Sequence, residues 1–385
     1  MFTEEVIRDT RAVVDLDCVR EAMSGIRGLV GKDVEIMAIV KADGYGHGAV
    51  KVAKTALQSG AGSLGVAYPQ EGAELRKSNI DVPILVLGLT PPDDPGAIDT
   101  VIKHGLTQTI SDTELPKALN AAASKTKIVT VHVKVDTGMG RIGIKPGDVF
   151  EFLSFLDGLK NIEVEGIYTH FPSADEADTQ FTNRQIDIFL DLINQLKKNG
   201  ISIPKTHMAN SGGILAHPKS HLTTVRAGII LYGLYPSKEV EKTIKLTPAM
   251  SLVTKIRLIK KIPKGTSISY GRTFITKGEM TVATLPVGYA DGYPRILSNR
   301  GHVLVRGRPA PILGRVCMDM TIVDVTNIPE AAFEDEVILF GQQYKSKEQY
   351  QNKISTEQMA DWLNTINYEV TCIVGKRVPR VYLNE

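Results

Sequence analysis

The sequence predicts an α/β chain, a (β/α)8 TIM-type barrel followed by a C-terminal mostly-β domain, and three observations carry that expectation. Between about 34 and 233, short β-branched runs alternate with amphipathic stretches of helical length. Eight such pairs can be counted. Beyond about Pro236 the texture changes to short period-two runs separated by Gly- and Pro-containing turns.

In chain order, the barrel strands are expected at 34–40, 63–67, 84–88, 106–110, 128–136, 164–170, 206–209 and 223–226. Intervening helices include 48–59, 70–77 and 183–198. An open doubly wound sheet is the alternative, but no GxGxxG turn follows the first strand. In the β domain, strands are expected within 250–259, 280–286, 302–306, 310–313 and 320–325. A helix over 355–364, capped by Ser355 or Thr356, and a last strand over 369–374 complete the chain. The expected division is a barrel over 12–240 and a β domain over 241–385, with residues 1–11 available to pack on the latter.

The 385 residues are 43% apolar and 23% charged, ordinary for a globular protein with a large core. A net charge of +2, from 45 basic and 43 acidic residues spread along the chain, gives no general attraction to nucleic acid or anionic membrane. A small-molecule partner is the default. Cys18, Cys317 and Cys372 are odd in number and widely spaced, which argues against a disulfide framework or structural zinc and for a reducing compartment. The first eleven residues interleave charges with single apolar residues, unlike a secretory signal, and no run approaches transmembrane length. A cytoplasmic protein is expected.

Lys41 is the most informative residue. It directly follows an apolar β-rich run, where a barrel strand delivers chemistry, and a desolvated lysine there can attack a carbonyl. Gly44, Gly46 and Gly48 allow a tight turn, while Tyr45 and His47 add polar tips. The pattern suits a Schiff-base lysine holding an aldehyde cofactor. It equally suits a surface lysine before a glycine turn.

Because barrel active sites lie at the carboxyl ends of the strands, the other strand-end polar residues carry weight: Lys134 and Asp136, His170, Asn210 and Ser211, and Arg226. Loops after the seventh and eighth strands commonly bind phosphate, and Asn210-Ser211-Gly212-Gly213 and Ala227-Gly228-Ile229-Ile230 have the open backbone this needs. Ser211 alone reads as a helix cap. Arg141, in the glycine-rich loop 136–143, could pair with a phenolate or carboxylate, or stand solvated in a surface turn. His170 could pack on an aromatic ring or be a backbone-satisfied core histidine.

These residues resemble the alanine racemase family, pyridoxal phosphate enzymes with an N-terminal barrel and a C-terminal β domain. The similarity runs nearly end to end, through 40–48, 133–143, Thr169-His170-Phe171, Met208-Ala209-Asn210-Ser211, Val225-Arg226-Ala227-Gly228, Ser269-Tyr270-Gly271-Arg272-Thr273, 288–295, Cys317-Met318-Asp319 and Asn367-Tyr368-Glu369. The resemblance implies that Lys41 binds pyridoxal 5'-phosphate and acts as a base on one substrate face. Tyr270, arriving from the other subunit of a homodimer, serves the opposite face. Two bases on opposite faces are what inversion needs. Tyr45, Ser211, Gly228, Ile229 and Tyr368 match phosphate holders, His170 a ring-packing residue and Asn210 a cofactor neighbour. Arg226 matches the residue facing the pyridine nitrogen, where a guanidinium can only donate. Arg141 contacts the cofactor phenolate or substrate carboxylate, oriented by Lys134, which some family members carry as a carbamate. Tyr289 and Met318 form the mouth of the substrate pocket from the partner. The implied activity is racemisation of L- and D-alanine, supplying D-alanine for peptidoglycan; a broad-specificity or serine racemase is the alternative. Arg11, where the family often has Trp, and Asp43-Gly44, often Asn-Ala, are departures.

A cofactor-free racemase would need two facing thiols, and the cysteines share no context. The eight histidines show no HxH or HExxH spacing for a metal hydrolase. A decarboxylase fits Tyr270 beside Arg272 less well, and a small cofactor carrier would lack the segment after Pro236.

Overall fold

A computed structural model describes residues 8–123, 127–342 and 352–385. The chain divides into two compact units, Cys18–Thr247 and a second made of Met1–Asp17 with Pro248–Glu385. The described chain opens with β1 (Arg11–Asp15), which belongs to the second unit. The expected barrel start at residue 12 therefore falls inside a strand of the other unit's sheet. The sequence Arg-Ala-Val-Val-Asp reads as a short strand, but nothing local says which sheet it joins.

The first unit carries eight parallel strands: β2 (Glu35–Ile39), β3 (Ser63–Val66), β4 (Ile84–Val86), β5 (Thr107–Ile110), β6 (Val129–Lys134), β7 (Ile162–Tyr168), β8 (Lys205–His207) and β9 (Thr224–Ala227). They pair in sequence order, and β9 returns to pair with β2 through Glu35↔Thr224 and Met37↔Arg226. Thr223 N donates to Thr206 O at 3.2 Å and Arg226 N to Ala209 O at 3.0 Å, drawing the remaining edges together into a nearly closed barrel. The eight strands sit where the alternating pattern predicts, as do helices Ala49–Gln58, Pro69–Lys77 and Gln180–Lys198.

Leu64, Val66, Ile84, Val86, Val131 and Val133 are fully buried. Each such side chain contributes about 1.5–3 kcal/mol relative to exposure. The interior is not uniformly apolar: His132 and Lys134 on β6, His207 on β8 and Arg226 on β9 are buried as well. Room for one imidazole comes from Gly166 on β7, where an added Cβ would stand 2.6 Å from three atoms of the His132 ring.

The second unit holds, besides β1, β10 (Met250–Lys255), β11 (Leu258–Ile262), β12 (Ser267–Ile268), β13 (Phe274–Ile275), β14 (Met280–Leu285), β15 (His302–Val305), β16 (Arg308–Pro311), β17 (Thr321–Asp324), β18 (Glu336–Phe340) and β19 (Arg380–Leu383). The main sheet runs β16-β15-β18-β10-β1-β19, and β11-β14-β17 form a smaller one. The expected run over 250–259 is two strands in different sheets, broken at Ile256-Arg257. Helix Thr356–Leu363 is capped as expected by Ser355, whose Oγ accepts from Gln358 N.

The last strand expected over 369–374 is instead a helix, Asn367–Cys372. Val370 and Thr371 are β-branched, but both are buried and Ile373 N bonds Glu369 O, so local i→i+4 pairing and burial override strand propensity. The closing strand is β19, which extends the main sheet by parallel pairing to β1.

Candidate active site

In the barrel unit the site begins where β2 ends. After Lys41 the backbone enters the left-handed region and stays there: Ala42, Asp43, Gly44 and Tyr45 have φ between 51° and 61°. That conformation costs roughly 1–2 kcal/mol for each non-glycine residue. Its compensation is visible. Gly44 N bonds Val40 O at 2.9 Å, Gly46 N bonds Ala42 O at 3.0 Å, and Asp43 takes Gly48 N on its carbonyl and Ala49 N on its carboxylate. Asp and Gly tolerate this region better than most residues, which gives the departing pair Asp43-Gly44 a structural fit. Glu71 clamps the turn from the next βα unit, accepting Ala42 N at 2.6 Å on one oxygen and Ala67 N at 2.7 Å on the other. Lys41 Nζ lies 5.9 Å from the Tyr45 ring centroid.

Tyr45 packs on Tyr232, ring centroids 5.0 Å apart, and Tyr232 donates its hydroxyl to Ile39 O at 2.9 Å. This aims the Tyr45 hydroxyl at the loop after β9. An added Cβ on Gly228 would stand 3.2 Å from Ser211 Oγ and 3.3 Å from Tyr45 Oη. Two hydroxyls thus converge over bare backbone, and Ile229 opens the buried turn that follows. Asn210 caps helix Ser211–Ala216, its Oδ1 accepting Gly213 N at 3.0 Å and its Nδ2 donating to Phe171 O at 3.2 Å. Asn210 therefore ties the loop after β7 to the loop after β8.

Arg226 is buried at the centre of this end. Its Nη1 donates to His207 Nδ1 at 2.7 Å, and its Nη2 faces Thr169 O, Met208 O and His170 Nδ1 at 2.8, 3.0 and 3.1 Å. Burial pulls the guanidinium down to about 10, opposed by Tyr168, so it stays charged at neutral pH. His170 is held well below its usual value by burial and by the charges of Arg226, Lys134, Arg141 and Lys41. A neutral His170 that accepts on Nδ1 carries its proton on Nε2. Lys134 donates to Val135 O at 2.9 Å, and burial, with Arg226 and Arg141 nearby, lowers its amine to about 7. The centroid of the Tyr168 ring lies 5.3 Å from Lys134 Nζ and 5.2 Å from Arg226 Cζ. Arg141 is exposed in the loop after β6, where Asp136 caps Gly138 N and Gly140 N.

The remaining expected residues lie in the second unit. Tyr270 is 70% exposed, in a turn whose Ser269, Gly271 and Arg272 have φ of 62°, 70° and 51°. Ser269 Oγ donates to Arg315 O at 2.5 Å and so pins that turn. Tyr289 and Met318 are also exposed, and adjacent backbone bonds link them: Tyr289 N to Cys317 O and Ala290 N to Met318 O, both 3.0 Å. Gly288 makes this approach possible, since an added Cβ would lie 2.3 and 2.4 Å from the Cys317 and Met318 carbonyl oxygens. Buried Asp291 ties the segment down, bonding Gly288 N at 3.0 Å and pairing with Arg8 and Arg377. Tyr368 is half-buried on helix Asn367–Cys372.

Sequence reasoning missed Tyr168, His207, His132 and Glu71. One signal was present: His132 and Lys134 stand two apart on one strand and so share a face. Among the described residues, no His, Cys, Asp and Glu cluster could hold a metal ion, and no helix is long and apolar enough to cross a membrane.

Comparison with known proteins agrees with the geometry. The family model described as "Alanine racemase, N-terminal domain" matches residues 14–236, and "Alanine racemase, C-terminal domain" matches 249–382. The alanine racemase of Halothermothrix orenii is 46% identical over 385 residues, covering 100% of this chain and 99% of that protein. That of Desulfovibrio desulfuricans is 47% identical over 377 residues, covering 98% of each. Among solved structures, an alanine racemase from Clostridium difficile 630 superposes with a TM-score of 0.92 at 40% identity, covering 98% of this chain and 97% of that one. One from Bacillus anthracis, with bound L-Ala-P, gives 0.91 at 38%, covering 99% and 97%. The chain belongs to the alanine racemase family, whose members are isomerases.

Proposed function

We propose that the protein racemises L- and D-alanine with pyridoxal 5'-phosphate carried on Lys41, in a site completed by a second copy of the chain. The observation that carries this reading is the cradle at Gly228. Its bare backbone, with the Tyr45 and Ser211 hydroxyls converging over it, suits a phosphate, and a side chain there would fill the space. Arg226 supports the same reading. None of its four described bonds comes from Nε, leaving a donor for an aromatic ring nitrogen. His170 beside it offers a flat face for that ring. Asn210 braces the cradle, and Tyr368 is assigned to the phosphate with Ile229.

When bound, the cofactor supplies an electron sink that acidifies the substrate Cα–H. Once the substrate amine had taken the place of Lys41 on the cofactor aldehyde carbon, the freed Lys41 Nζ would remove or return the proton on one face, and Tyr270 Oη of the partner subunit would do so on the other. Arg226, always a donor, would face the ring nitrogen with an N–H, leave it unprotonated and so moderate the sink. Arg141 pairs with the cofactor phenolate or the substrate carboxylate, and Tyr289 and Met318 of the partner subunit shape the substrate pocket. The exposure of Tyr270, Tyr289 and Met318, at 70%, 42% and 53%, supports an assembly that covers them. A solved relative carrying L-Ala-P and another described in complex with cycloserine support a ligand of amino-acid size.

At about pH 7 a large share of Lys134 is neutral amine, able to add to carbon dioxide with loss of a proton. The carbamate anion so formed would face Arg141. Carbon-13 bicarbonate should then give a carbamate resonance that disappears in Lys134→Arg; an unchanged spectrum in the variant rejects the assignment. The product, D-alanine, suits a cytoplasmic supply for peptidoglycan. The central test is borohydride reduction of the protein after addition of pyridoxal 5'-phosphate, with racemisation measured on L-alanine and L-serine. A pyridoxyl group on Lys41 and turnover of alanine are expected. A label on another lysine, or a protein that stays colourless, overturns the reading.

A further inference from the structure

Behind Arg226 lies a chain of buried polar groups that the proposed reaction does not use. His207 Nε2 is 3.0 Å from His132 Nδ1, and His132 Nε2 is 3.1 Å from Glu165 Oε2. Both imidazoles are buried, whereas the Glu165 side chain is 28% exposed. Lys205 and Glu35, first residues of β8 and β2, flank that carboxylate: Lys205 Nζ lies 3.5 Å from Glu165 and 3.4 Å from Glu35. The chain therefore runs inside the barrel from the carboxyl ends of the strands toward their amino ends. Gly166 leaves the space that the His132 ring fills.

Donor and acceptor chemistry gives this chain one direction. A guanidinium has no acceptor, so His207 must accept from Arg226 on Nδ1. A neutral His207 then carries its proton on Nε2 and donates to His132 Nδ1. His132 in turn carries its proton on Nε2 and donates to Glu165. An imidazolium at His132 would set two N–H groups against each other, unless His207 moved its proton to Nδ1 and faced Arg226 with a donor. One arrangement satisfies all four groups. Burial agrees with it, lowering the pKa of both histidines. The other groups facing the pair, Lys134 and Tyr168 toward Arg226 and Lys205 and Glu35 toward Glu165, leave this order undisturbed.

We propose that Glu165 is a positioning residue for Arg226, acting through His132 and His207 to keep both imidazoles in the Nε2–H form and the guanidinium aimed as a donor. Hydrogen bonds aligned in one direction polarise one another in a buried setting, so the carboxylate at one end supports the cation at the other. The tautomer order stands on the geometry alone. Its effect on a bound cofactor rests on the function proposed above.

The test uses the full chain, with and without pyridoxal 5'-phosphate. Imidazole nitrogen-15 NMR of the unsubstituted protein should show His132 and His207 neutral and protonated on Nε2. An Nδ1–H signal for His207 would overturn the proposal whatever happens to any variant. Glu165→Leu should mix the tautomers, shift the pH titration of the cofactor absorbance and lower kcat by roughly 10-fold with little change in KM. Glu165→Gln, which keeps an acceptor, should restore the Nε2–H order and part of kcat. A Glu165→Leu protein that binds cofactor with unchanged tautomers, titration and kcat refutes the inference. Failure of the unsubstituted protein to take up cofactor would instead defeat the functional reading and leave the tautomer result to stand or fall separately.

Discussion

The two groups of proposed site residues differ in how their surroundings hold them. In the barrel unit, Lys134, His207 and Arg226 are buried, and Arg226 makes four described hydrogen bonds. In the second unit, Tyr270, Tyr289 and Met318 stand on the surface, held in place mainly through the backbone beneath them. The difference separates two ways of making a precise site. A buried polar group is fixed by its partners and destabilises the fold if they are lost. An exposed side chain on a strained, pinned turn is aimed without being enclosed, and suits a role at an interface.

The comparison can be broken at either end. The largest effect is expected for Lys41→Ala, which should lower racemisation by roughly 10³-fold or more and abolish borohydride labelling at that position. Retention of labelled protein would contradict the assignment of Lys41. Arg226→Lys keeps the charge but not the planar fork, and the unmet acceptors should cost about 3 kcal/mol in denaturant unfolding. A loss below about 1 kcal/mol would mean the guanidinium is not braced as its four contacts suggest.

Tyr270→Phe sharpens the other half. Alpha-proton exchange from one enantiomer should fall by about 10²-fold, far more than from the other. Stability should move by less than about 0.5 kcal/mol, because the side chain is exposed. Equal losses from both enantiomers would argue for a single base.

The acid limb of stability provides a further contrast. His132, His170 and His207 are held below their usual value by burial, so between about pH 6.5 and their folded-state values the unfolded chain binds protons that the folded chain does not. Stability should therefore fall with falling pH, by up to about 1.4 kcal/mol per pH unit per histidine. Replacing His207 by Gln should flatten that slope, and an unchanged slope would show that His207 does not titrate on unfolding. A modest effect on stability is expected for Glu71→Gln, about 1–2 kcal/mol, because one of the two oxygens bonding Ala42 N and Ala67 N becomes an amide NH2 set against a backbone N–H. A neutral result would mean the left-handed turn holds itself.

Much of this was legible in the chain. The barrel strands follow from alternation of short β-branched runs with helical segments, because parallel strands buried on both faces show plainly in sequence. Lys41, His170, Ser211, Arg226 and Gly228 stand at strand ends, where barrel chemistry collects. What was hidden depends on distance along the chain. His132 meets His207 across 75 positions, and no local pattern announces that meeting. The left-handed run from Ala42 to Tyr45 includes residues that rarely adopt it and persists because Glu71 accepts Ala42 N and Asp43 ties the turn to the next helix through Ala49 N. Val370 and Thr371 read as strand because β-branching speaks locally, while their burial does not.

The crowded interior at Gly166 has a practical side for anyone wishing to redirect this catalyst. With an imidazole already 2.6 Å from where a methyl would go, Gly166 can gain a side chain only if His132 changes with it. Single-site libraries directed at the proposed substrate pocket are better spent on Tyr289 and Met318, whose side chains are exposed on this chain.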